Sequence, residues 1–380
     1  MIRDLICLMC PNGCHLKTEL KSSGALEVQG SRCDKGLAFV RQVMAGENLK
    51  PSGRILSGGK RPSYDDTVLK EIAGLWGIAL KSVRRHLMPD GSPERTLFRV
   101  VIEDENKSLF VLEEIAPAAY HTKMKIVKTL DFLSAKGMSR IAPYRVSSSG
   151  AHIQKYGEDL WQVVPFIPGV PLDREKYLYE AWRANVLSGF LLELSEKVNG
   201  LAFLSLEKPF SLKAYIYTLL RQIEQRRPEI VGKVHPVVAF LERDFTAAHD
   251  TLPLRFCHGD FHPLNVVWGR DDIRAVIDWE FLGMKPEIYD VANMIGCLGM
   301  EHPSSLVSDL VVNLIVQLKA SAGFSAVSWQ YFVEFLVAMR FAWLSEWLRK
   351  EDEEMVALEL EYMNLLIENK QKLCSEWFRA

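Results

Sequence analysis

The sequence lacks several features that would assign a protein class at once. Its formal net charge is −2 over 380 residues, so overall charge does not favour nucleic acid or an anionic membrane surface as a partner. We find no internal repeat and no low-complexity tract. Uncharged apolar runs are short, and the most apolar segment, Phe332 to Leu348, contains Glu334, Arg340 and Glu346. We therefore expect no membrane span.

The first residues, MIRDLICLMCPNG, have neither a long apolar run nor a small-residue cleavage site, so we expect no secretory signal. Charged residues make up 25% of the chain and hydrophobic residues 48%, which is ordinary for globular proteins and excludes general disorder. The length allows two or three domains. These features predict a folded cytoplasmic protein.

Cysteine is scarce outside the first 33 residues, which contain four of the seven cysteines. These four follow the spacing C-x2-C-x3-C-x18-C (Cys7, Cys10, Cys14 and Cys33). Four thiolates suit tetrahedral zinc or an iron–sulfur cluster, and such crowding favours metal binding in a reducing cytoplasm over disulfides. A zinc-stapled module without chemistry of its own is the simpler interpretation. The remaining cysteines have apolar surroundings and are predicted to be buried and inert (Cys257, Cys297 and Cys374).

The N-terminal segment CLMCPNGCHL…VQGSRCDKG is similar to a small uncharacterised cysteine domain and to the N-terminal [4Fe-4S] segment of molybdopterin oxidoreductases. Residues 47–66 are rich in glycine, proline, serine and charge, which predicts a linker. We assign residues 1–60 to a cysteine-rich metal-binding module with its linker.

Short apolar strands alternate with polar residues between Phe256 and Asp290. Residues 265–268 and 274–277 are predicted strands, and residues 269–272 supply the polar turn of a hairpin. The simplest interpretation is a β-hairpin whose polar ends are solvated.

Three polar residues are expected at one end of this hairpin: Asp260, Asn265 and Asp278. Two carboxylates and an amide suit phosphoryl transfer. One carboxylate can accept the proton of an attacking hydroxyl, while an amide oxygen and the second carboxylate hold octahedral Mg²⁺.

The ordered set H-G-D-x4-N, I-D-W-E and Y-D-V-A resembles the aminoglycoside phosphotransferase and choline kinase family over about residues 65–380. The resemblance implies an α+β fold, bilobal and protein-kinase-like, preceded here by the cysteine-rich module. It implies that Asp260 is the catalytic base and that Asn265 and Asp278 bind ATP through Mg²⁺. It also implies a structural role for His258 in the catalytic loop and a bracing role for Asp290.

On this basis residues 61–167 form the N-lobe, and residues 168–380 form a mainly helical C-lobe with the catalytic loop and the acceptor pocket. Apolar spacing predicts a helix from Thr67 to Leu87, and strands follow at residues 96–103 and 109–115. In the resembled family, this hairpin carries the loop over the ATP phosphates, which makes Gly91 a candidate nucleotide contact. A surface turn is the simpler interpretation of Gly91.

The segment Trp161 to Gly169 is predicted to be a strand that leads into a hinge. In the resembled family, backbone groups of the hinge meet adenine, and the candidates here are Val164 and Phe166.

One position departs from the family pattern. The second strand of the family carries a lysine that holds the α- and β-phosphates, whereas this chain has Glu113. The following predicted helix, residues 120–135, offers lysines where the family has a glutamate (Lys123, Lys125 and Lys128). An inverted pair of Glu113 with a helix lysine would keep the lobe geometry and still present an ammonium group. Arg95 or Arg99 could also substitute for the lysine, or nucleotide binding has been lost.

Apolar spacing predicts further helices at residues 183–198, 212–225, 230–249, 304–320, 329–350 and 353–378. Trp343 and Trp347 lie four residues apart, on one helical face. They form either an aromatic wall for a cationic acceptor, with Glu280 also facing it, or ordinary buried packing.

These features predict an ATP- and Mg²⁺-dependent phosphotransferase acting on a hydroxyl of a sugar, an amino alcohol or an aminoglycoside-like molecule. Its expected partners are ATP and a small acceptor, with no nucleic acid and no membrane. One alternative is a pseudokinase, which Glu113 favours. Another is a regulatory protein controlled by the N-terminal metal module. The sequence indicates neither the acceptor nor the oligomeric state.

Overall fold

The computed structural model describes residues 2–6, 15–20, 26–29, 64–87, 96–174, 176–201, 208–321 and 323–378. The predicted metal ligands Cys7, Cys10, Cys14 and Cys33 lie outside this set, as do Gly91 and Arg95, and their roles remain predictions. The chain forms two compact units, and it passes from the first to the second between Pro168 and Gly169. Among the described residues, no helix has the length and apolar character needed to cross a membrane.

Three N-terminal strands form an antiparallel sheet in the order β1-β2-β3: β1 (Ile2–Ile6), β2 (His15–Leu20) and β3 (Leu26–Gln29). A five-stranded antiparallel sheet dominates the rest of the first unit, in the order β4-β5-β6-β8-β7. Its strands are β4 (Leu80–Val83), β5 (Thr96–Asp104), β6 (Leu109–Ile115), β7 (Ile153–Tyr156) and β8 (Asp159–Pro165). Valine is the most frequent residue in these strands, and isoleucine and phenylalanine recur, as expected for a pleated and largely buried surface.

Helix α1 (Asp66–Gly74) covers one face of this sheet. Its N-terminus is capped by Asp65, whose carboxylate accepts a hydrogen bond from the Val68 N–H at 2.9 Å. Leu69 and Ile72 are fully buried against sheet residues that include Trp161. Helix α2 (Tyr120–Ala135) follows β6 and confirms the helix predicted there.

The predicted helix from Thr67 to Leu87 is wrong beyond Gly74. The chain turns at Gly77, whose φ of +67° suits glycine, and continues as strand β4. Ile78 and Leu80 fit the apolar spacing of the predicted helix, but they are also two residues apart, which is the apolar spacing of a strand. Pairing with β5 decides in favour of the strand.

The second unit is mainly helical. Its helices are α3 (Trp182–Lys197), α4 (Leu212–Arg226), α5 (Pro228–Glu242), α6 (Phe245–Ala248), α7 (Tyr289–Glu301), α8 (Asp309–Ala320), α9 (Ala326–Gln330), α10 (Phe332–Lys350), α11 (Glu353–Glu368) and α12 (Lys370–Trp377). The predicted helices 230–249, 329–350 and 353–378 are each divided in two, and the helix predicted from residue 304 begins only at Asp309, where the Ser308 side chain caps α8. The predicted end at Lys350 is confirmed, because Glu351, with φ +57°, ends α10. Helix α7 was not predicted.

Two short strand pairs in the second unit position the polar residues of interest. Strand β9 (Leu254–Cys257) pairs antiparallel with β12 (Gly283–Pro286), and β10 (Val266–Trp268) pairs antiparallel with β11 (Ile273–Val276). The predicted hairpin is therefore present, but its first strand begins one residue later than predicted and its second strand is shifted one residue towards the N-terminus. Asn265 belongs to a 3₁₀ turn before β10, and Ile277 lies beyond β11.

The three cysteines of the second unit differ in burial. Cys257 is buried, as predicted, whereas Cys297 and Cys374 are partly exposed, so the prediction is wrong for these two. Burial raises the pKa of all three thiols. Each is therefore held in the unreactive protonated form at neutral pH.

Candidate active site

The loop that follows β9 is tied to the first turn of helix α7. The backbone N–H groups of His258 and Gly259 donate to the two carboxylate oxygens of Asp290, at 2.7 and 2.8 Å. Burial raises the pKa of Asp290 to about 6, although the two N–H donors and the charge of Lys285 favour the carboxylate. The brace that the sequence assigned to Asp290 has a clear geometry: one side chain fixes two successive peptide groups.

Gly259 is required by the shape of this loop. Its φ is +84°, a conformation that side chains rarely adopt. A Cβ atom at this position would lie 2.1 Å from the backbone oxygen of Phe281. Any larger residue would move the loop that presents Asp260.

The His258 ring connects the loop to the end of the β10–β11 hairpin. Its Nε2 lies 2.9 Å from the Ile277 carbonyl oxygen, and its Nδ1 lies 3.2 Å from the Asp260 N–H. Nε2 must donate to the carbonyl and Nδ1 must accept from the N–H, which fixes the neutral tautomer. Burial lowers the pKa of the ring to about 4, so the ring remains neutral. This geometry suits the structural role expected of His258.

Asn265 holds the carboxylate of Asp260. The Asn265 Nδ2 lies 2.9 Å from the Asp260 backbone oxygen and 3.2 Å from its Oδ2. The amide nitrogen is thereby used as a donor towards Asp260. Because an amide has one nitrogen and one oxygen, the group that Asn265 can offer to a metal is its oxygen.

Asp278 follows β11 and is exposed. Its φ is +60°, which is uncommon for a residue with a side chain, although aspartate adopts it more readily than most. The preceding residue, Ile277, donates its N–H to the Asn265 backbone oxygen at 2.9 Å. Because Asp278 is the next residue after Ile277, this hydrogen bond keeps the backbone of Asp278 close to Asn265.

His262 is a site residue that the sequence reasoning missed. Its Nε2 lies 3.8 Å from the Asp260 Oδ1. Burial of the ring opposes protonation, but the carboxylates of Asp260, Asp278 and Glu301 outweigh it and raise the pKa of His262. One indication of a role for His262 was present in the sequence, namely its position between Asp260 and Asn265 in the H-G-D-x4-N motif.

An aromatic pair lies beside this loop. The Trp343 ring is 6.5 Å from the His262 ring and stacks on Trp347 at 6.1 Å. Both tryptophans are half-buried, so they are not simply core residues. The Trp347 Nε1 donates to the buried carboxylate of Glu359, 3.2 Å away, which anchors the pair.

In the first unit, Val164 and Phe166 lie at the end of β8. Val164 pairs with Val111 of β6, and the Phe166 N–H donates to the Leu109 backbone oxygen at 3.0 Å. That N–H is occupied within the sheet, so of the backbone groups of Phe166 the carbonyl is the one that could meet adenine. The nucleotide roles of both residues remain predictions.

Of the alternatives that the sequence left open for Glu113, the ion pair with a lysine of the following helix is present. The Lys123 Nζ from helix α2 lies 3.9 Å from the Glu113 Oε2, and both side chains are buried. Acid and base have exchanged places relative to the resembled family, and the pair is kept.

A family model described as "Phosphotransferase enzyme family" matches residues 93–322. The chain belongs to the phosphotransferase enzyme family. This membership confirms the predicted resemblance and the prediction of an enzyme that transfers phosphoryl groups to small molecules. A search of curated proteins found no match.

Solved structures of other phosphotransferases share the fold of this one. An aminoglycoside phosphotransferase from Alicyclobacillus acidocaldarius has a TM-score of 0.59 at 16% identity, over 85% of this chain and 98% of that one. A spectinomycin phosphotransferase in complex with ADP and spectinomycin has a TM-score of 0.54 at 14% identity, over 80% and 94%. An amicoumacin kinase in complex with AMP-PNP, Ca²⁺ and Ami has a TM-score of 0.54 at 13% identity, over 79% and 94%. These similarities confirm the kinase-like α+β fold of the phosphotransferase.

Proposed function

We propose that this phosphotransferase transfers the γ-phosphoryl group of ATP to a hydroxyl of a small molecule, with Asp260 as the catalytic base. The observation that carries the proposal is the position of the Asp260 carboxylate. It is held by Asn265 on a loop that Asp290 and the neutral His258 ring fix from two sides. A carboxylate in a fixed position is what orientation of an attacking hydroxyl requires.

The reaction forms a bond between the hydroxyl oxygen and the γ-phosphorus and breaks the bond from that phosphorus to the bridging oxygen, which releases ADP. The hydroxyl proton passes to Asp260. Because the transition state of phosphoryl transfer is loose, we expect positioning and charge neutralisation to contribute more than proton abstraction.

Asn265 and Asp278 fit the chemistry of a magnesium site. Asn265 has its oxygen to offer because its nitrogen serves Asp260, and Asp278 supplies an exposed carboxylate. One amide oxygen and one carboxylate suit Mg²⁺, which keeps several water molecules and binds phosphate oxygens as well. Magnesium bound there would neutralise charge on the phosphates of ATP.

The acceptor is proposed to be a sugar, an amino alcohol or an aminoglycoside-like molecule. Beside the loop, the Trp343 ring lies 6.5 Å from the His262 ring. The Glu301 carboxylate acts on His262, but it is itself paired with Arg174 at 3.5 Å and accepts a hydrogen bond from the Tyr177 hydroxyl. The aromatic face of Trp343 therefore favours an acceptor that carries an ammonium group.

The test compares the natural chain with Asp260→Asn and with Asp271→Asn, an exposed position in the hairpin turn, as the control. Turnover is measured as ADP release with sugars, amino alcohols and aminoglycosides, and MgATP binding is measured by calorimetry. We expect Asp260→Asn to lose about 10²- to 10⁴-fold in turnover and to keep MgATP binding. Full turnover in this variant would refute the role of Asp260.

A pseudokinase is the competing function, because Glu113 stands where the resembled family has a lysine. It predicts no MgATP binding by the natural chain. Mg²⁺-dependent binding that is lost in Asp278→Asn, together with ADP release that is lost in Asp260→Asn, would exclude it.

A further inference from the structure

The sheet of the first unit carries two neighbouring rungs on the face opposite helix α1. Register pairs Val101 with Val111 and Val111 with Val164, and we name these three the valine rung. Two residues along, Arg99 pairs with Glu113 and Glu113 pairs with Gln162, and we name these three the polar rung. Strand geometry separates the two rungs by roughly 7 Å.

Contacts show that the two faces of the sheet differ. The residues that alternate with the polar rung, such as Leu112 and Trp161, pack in the core with helix α1. Arg99 and Gln162, in contrast, both donate hydrogen bonds to Glu113. The polar rung is therefore a connected group on the other face.

Glu113 is the centre of this group. It is 2% exposed and accepts hydrogen bonds from Thr96 at 2.7 Å and from the Arg99 Nε at 2.8 Å, as well as from Arg99 Nη2 and Gln162. Burial opposes its ionisation, but the charges of Lys123 and Arg99 outweigh burial and lower the pKa to about 2. Glu113 is therefore a carboxylate at any working pH.

The two cations around Glu113 differ in accessibility. The Lys123 side chain is 4% exposed, whereas the Arg99 side chain is 28% exposed. Lys123 is thus buried beside Glu113 and neutralises its charge without reaching solvent. Arg99 reaches solvent while two of its nitrogens are fixed by the carboxylate, and a guanidinium has five donors in a rigid fork that suits phosphate.

We propose that Arg99 binds the phosphate groups of the nucleotide, and that Glu113 and Lys123 are positioning residues: Glu113 holds the guanidinium, and Lys123 balances the charge of Glu113. The partly exposed valines Val111 and Val164 lie two residues along the same face, roughly 7 Å away, where they offer an apolar surface to the nucleoside. This inference rests on the proposed use of ATP. In this proposal, the glutamate on β6 and the lysine on α2 together hold Arg99 in place.

The alternative is that Arg99 serves only as a counter-ion for Glu113. The two roles differ in which ligands they affect. A phosphate-binding arginine discriminates ATP and ADP from adenosine, whereas a purely structural arginine changes the binding of all of them together or of none.

The experiment measures affinities for adenosine, ADP and ATP, with Mg²⁺ present, by calorimetry on the full chain. The variants are Arg99→Gln, Arg99→Lys and the control Arg84→Gln, which removes an arginine just after strand β4 that is likewise paired with a glutamate (Glu103). Thermal unfolding of each variant is recorded in parallel. We expect Arg99→Gln to weaken ADP and ATP binding about 10- to 100-fold and to leave adenosine within about twofold.

We expect Arg99→Lys to fold, because it keeps the charge beside Glu113, and to weaken ATP binding about 3- to 10-fold because the fork is lost. If Arg99→Gln does not fold, the ATP affinity of Arg99→Lys tests the phosphate-binding role of Arg99 instead. ATP binding unchanged from the natural chain, or equal losses for adenosine and ATP, would overturn the role of Arg99 and leave the proposed function standing. Failure of the natural chain to bind adenosine, ADP or ATP would overturn both.

Discussion

Glu113 in the first unit and Asp290 in the second are both almost completely buried carboxyl groups, and their pKa values move in opposite directions. Glu113 is surrounded by Lys123, Arg99 and neutral donors, and its pKa falls to about 2. Asp290 is held by two backbone N–H groups and the charge of Lys285, and burial raises its pKa to about 6. For Glu113, the charges of two nearby cations outweigh the effect of burial and lower the pKa. For Asp290, two peptide N–H groups and one cation do not outweigh burial, and the pKa rises.

The difference matches what each carboxylate holds. Glu113 fixes the side chain of Arg99, so its partners are charged and its own charge is permanent. Asp290 fixes a stretch of backbone, so its partners are neutral and its charge changes within the range where enzymes work. One unit therefore contains a permanent charge cluster and the other a brace that can be protonated.

The largest expected effect comes from removing a cation beside Glu113. Lys123→Met leaves the buried carboxylate with less compensation and should lower the free energy of unfolding by about 3–5 kcal/mol. Urea denaturation measures this. The double variant with Glu113→Gln should lose less than the sum of the two single losses, because the charge that needed Lys123 is gone. Strict additivity would show that the two side chains do not interact.

The next effect is a difference in pH dependence, of at most about 3 kcal/mol for each group. The pKa of Glu113 is lowered, so its contribution to stability is present above its ordinary pKa and is lost as the pH falls towards about 2. The pKa of Asp290 is raised, so its contribution is present below its ordinary pKa and is lost as the pH rises through about 6. Denaturation at a series of pH values, with Glu113→Gln and Asp290→Asn as references, separates the two. Each reference should lack one of the slopes, and identical profiles would contradict the comparison.

The smallest effect is expected for Asp290→Asn. The variant keeps the shape of the side chain but replaces one acceptor oxygen by an NH₂ group, so one loop N–H loses its partner at a cost of about 1–3 kcal/mol. We also expect turnover to fall, because the loop carries Asp260. Unfolding and ADP release are measured together, with Asp271→Asn as the matched control. A variant with normal turnover would show that the brace is not needed to place the base.

The site could be predicted where its contacts are local in sequence. Asn265 lies five residues after Asp260, and the contact between them follows from one tight turn. The pairing of Glu113 with a lysine of helix α2 was one of several alternatives that the sequence left open, because an acid on the strand faces lysines on the helix; the structure was needed to choose Lys123.

Other features could not be predicted because they depend on residues remote in the chain. The environment of His262 comes from Trp343 and Glu301, which no local spacing connects to the loop. The pairing of β9 with β12 likewise depends on tertiary contacts. Strand β4 was mistaken for helix because a short apolar pattern satisfies both periods.

Helix α7 has a consequence for how substrate preference could be changed. Asp290 in its first turn holds the loop that carries Asp260, and Glu301 at its last residue acts on His262. Near its end, a Cβ atom on Gly299 would lie 2.1 Å from the Tyr362 hydroxyl. A larger side chain at position 299 therefore has no room unless Tyr362 moves, and Glu301 is already held by Arg174 and the Tyr177 hydroxyl. A search for variants that accept a new substrate should leave this end of the helix unchanged and vary side chains outside it.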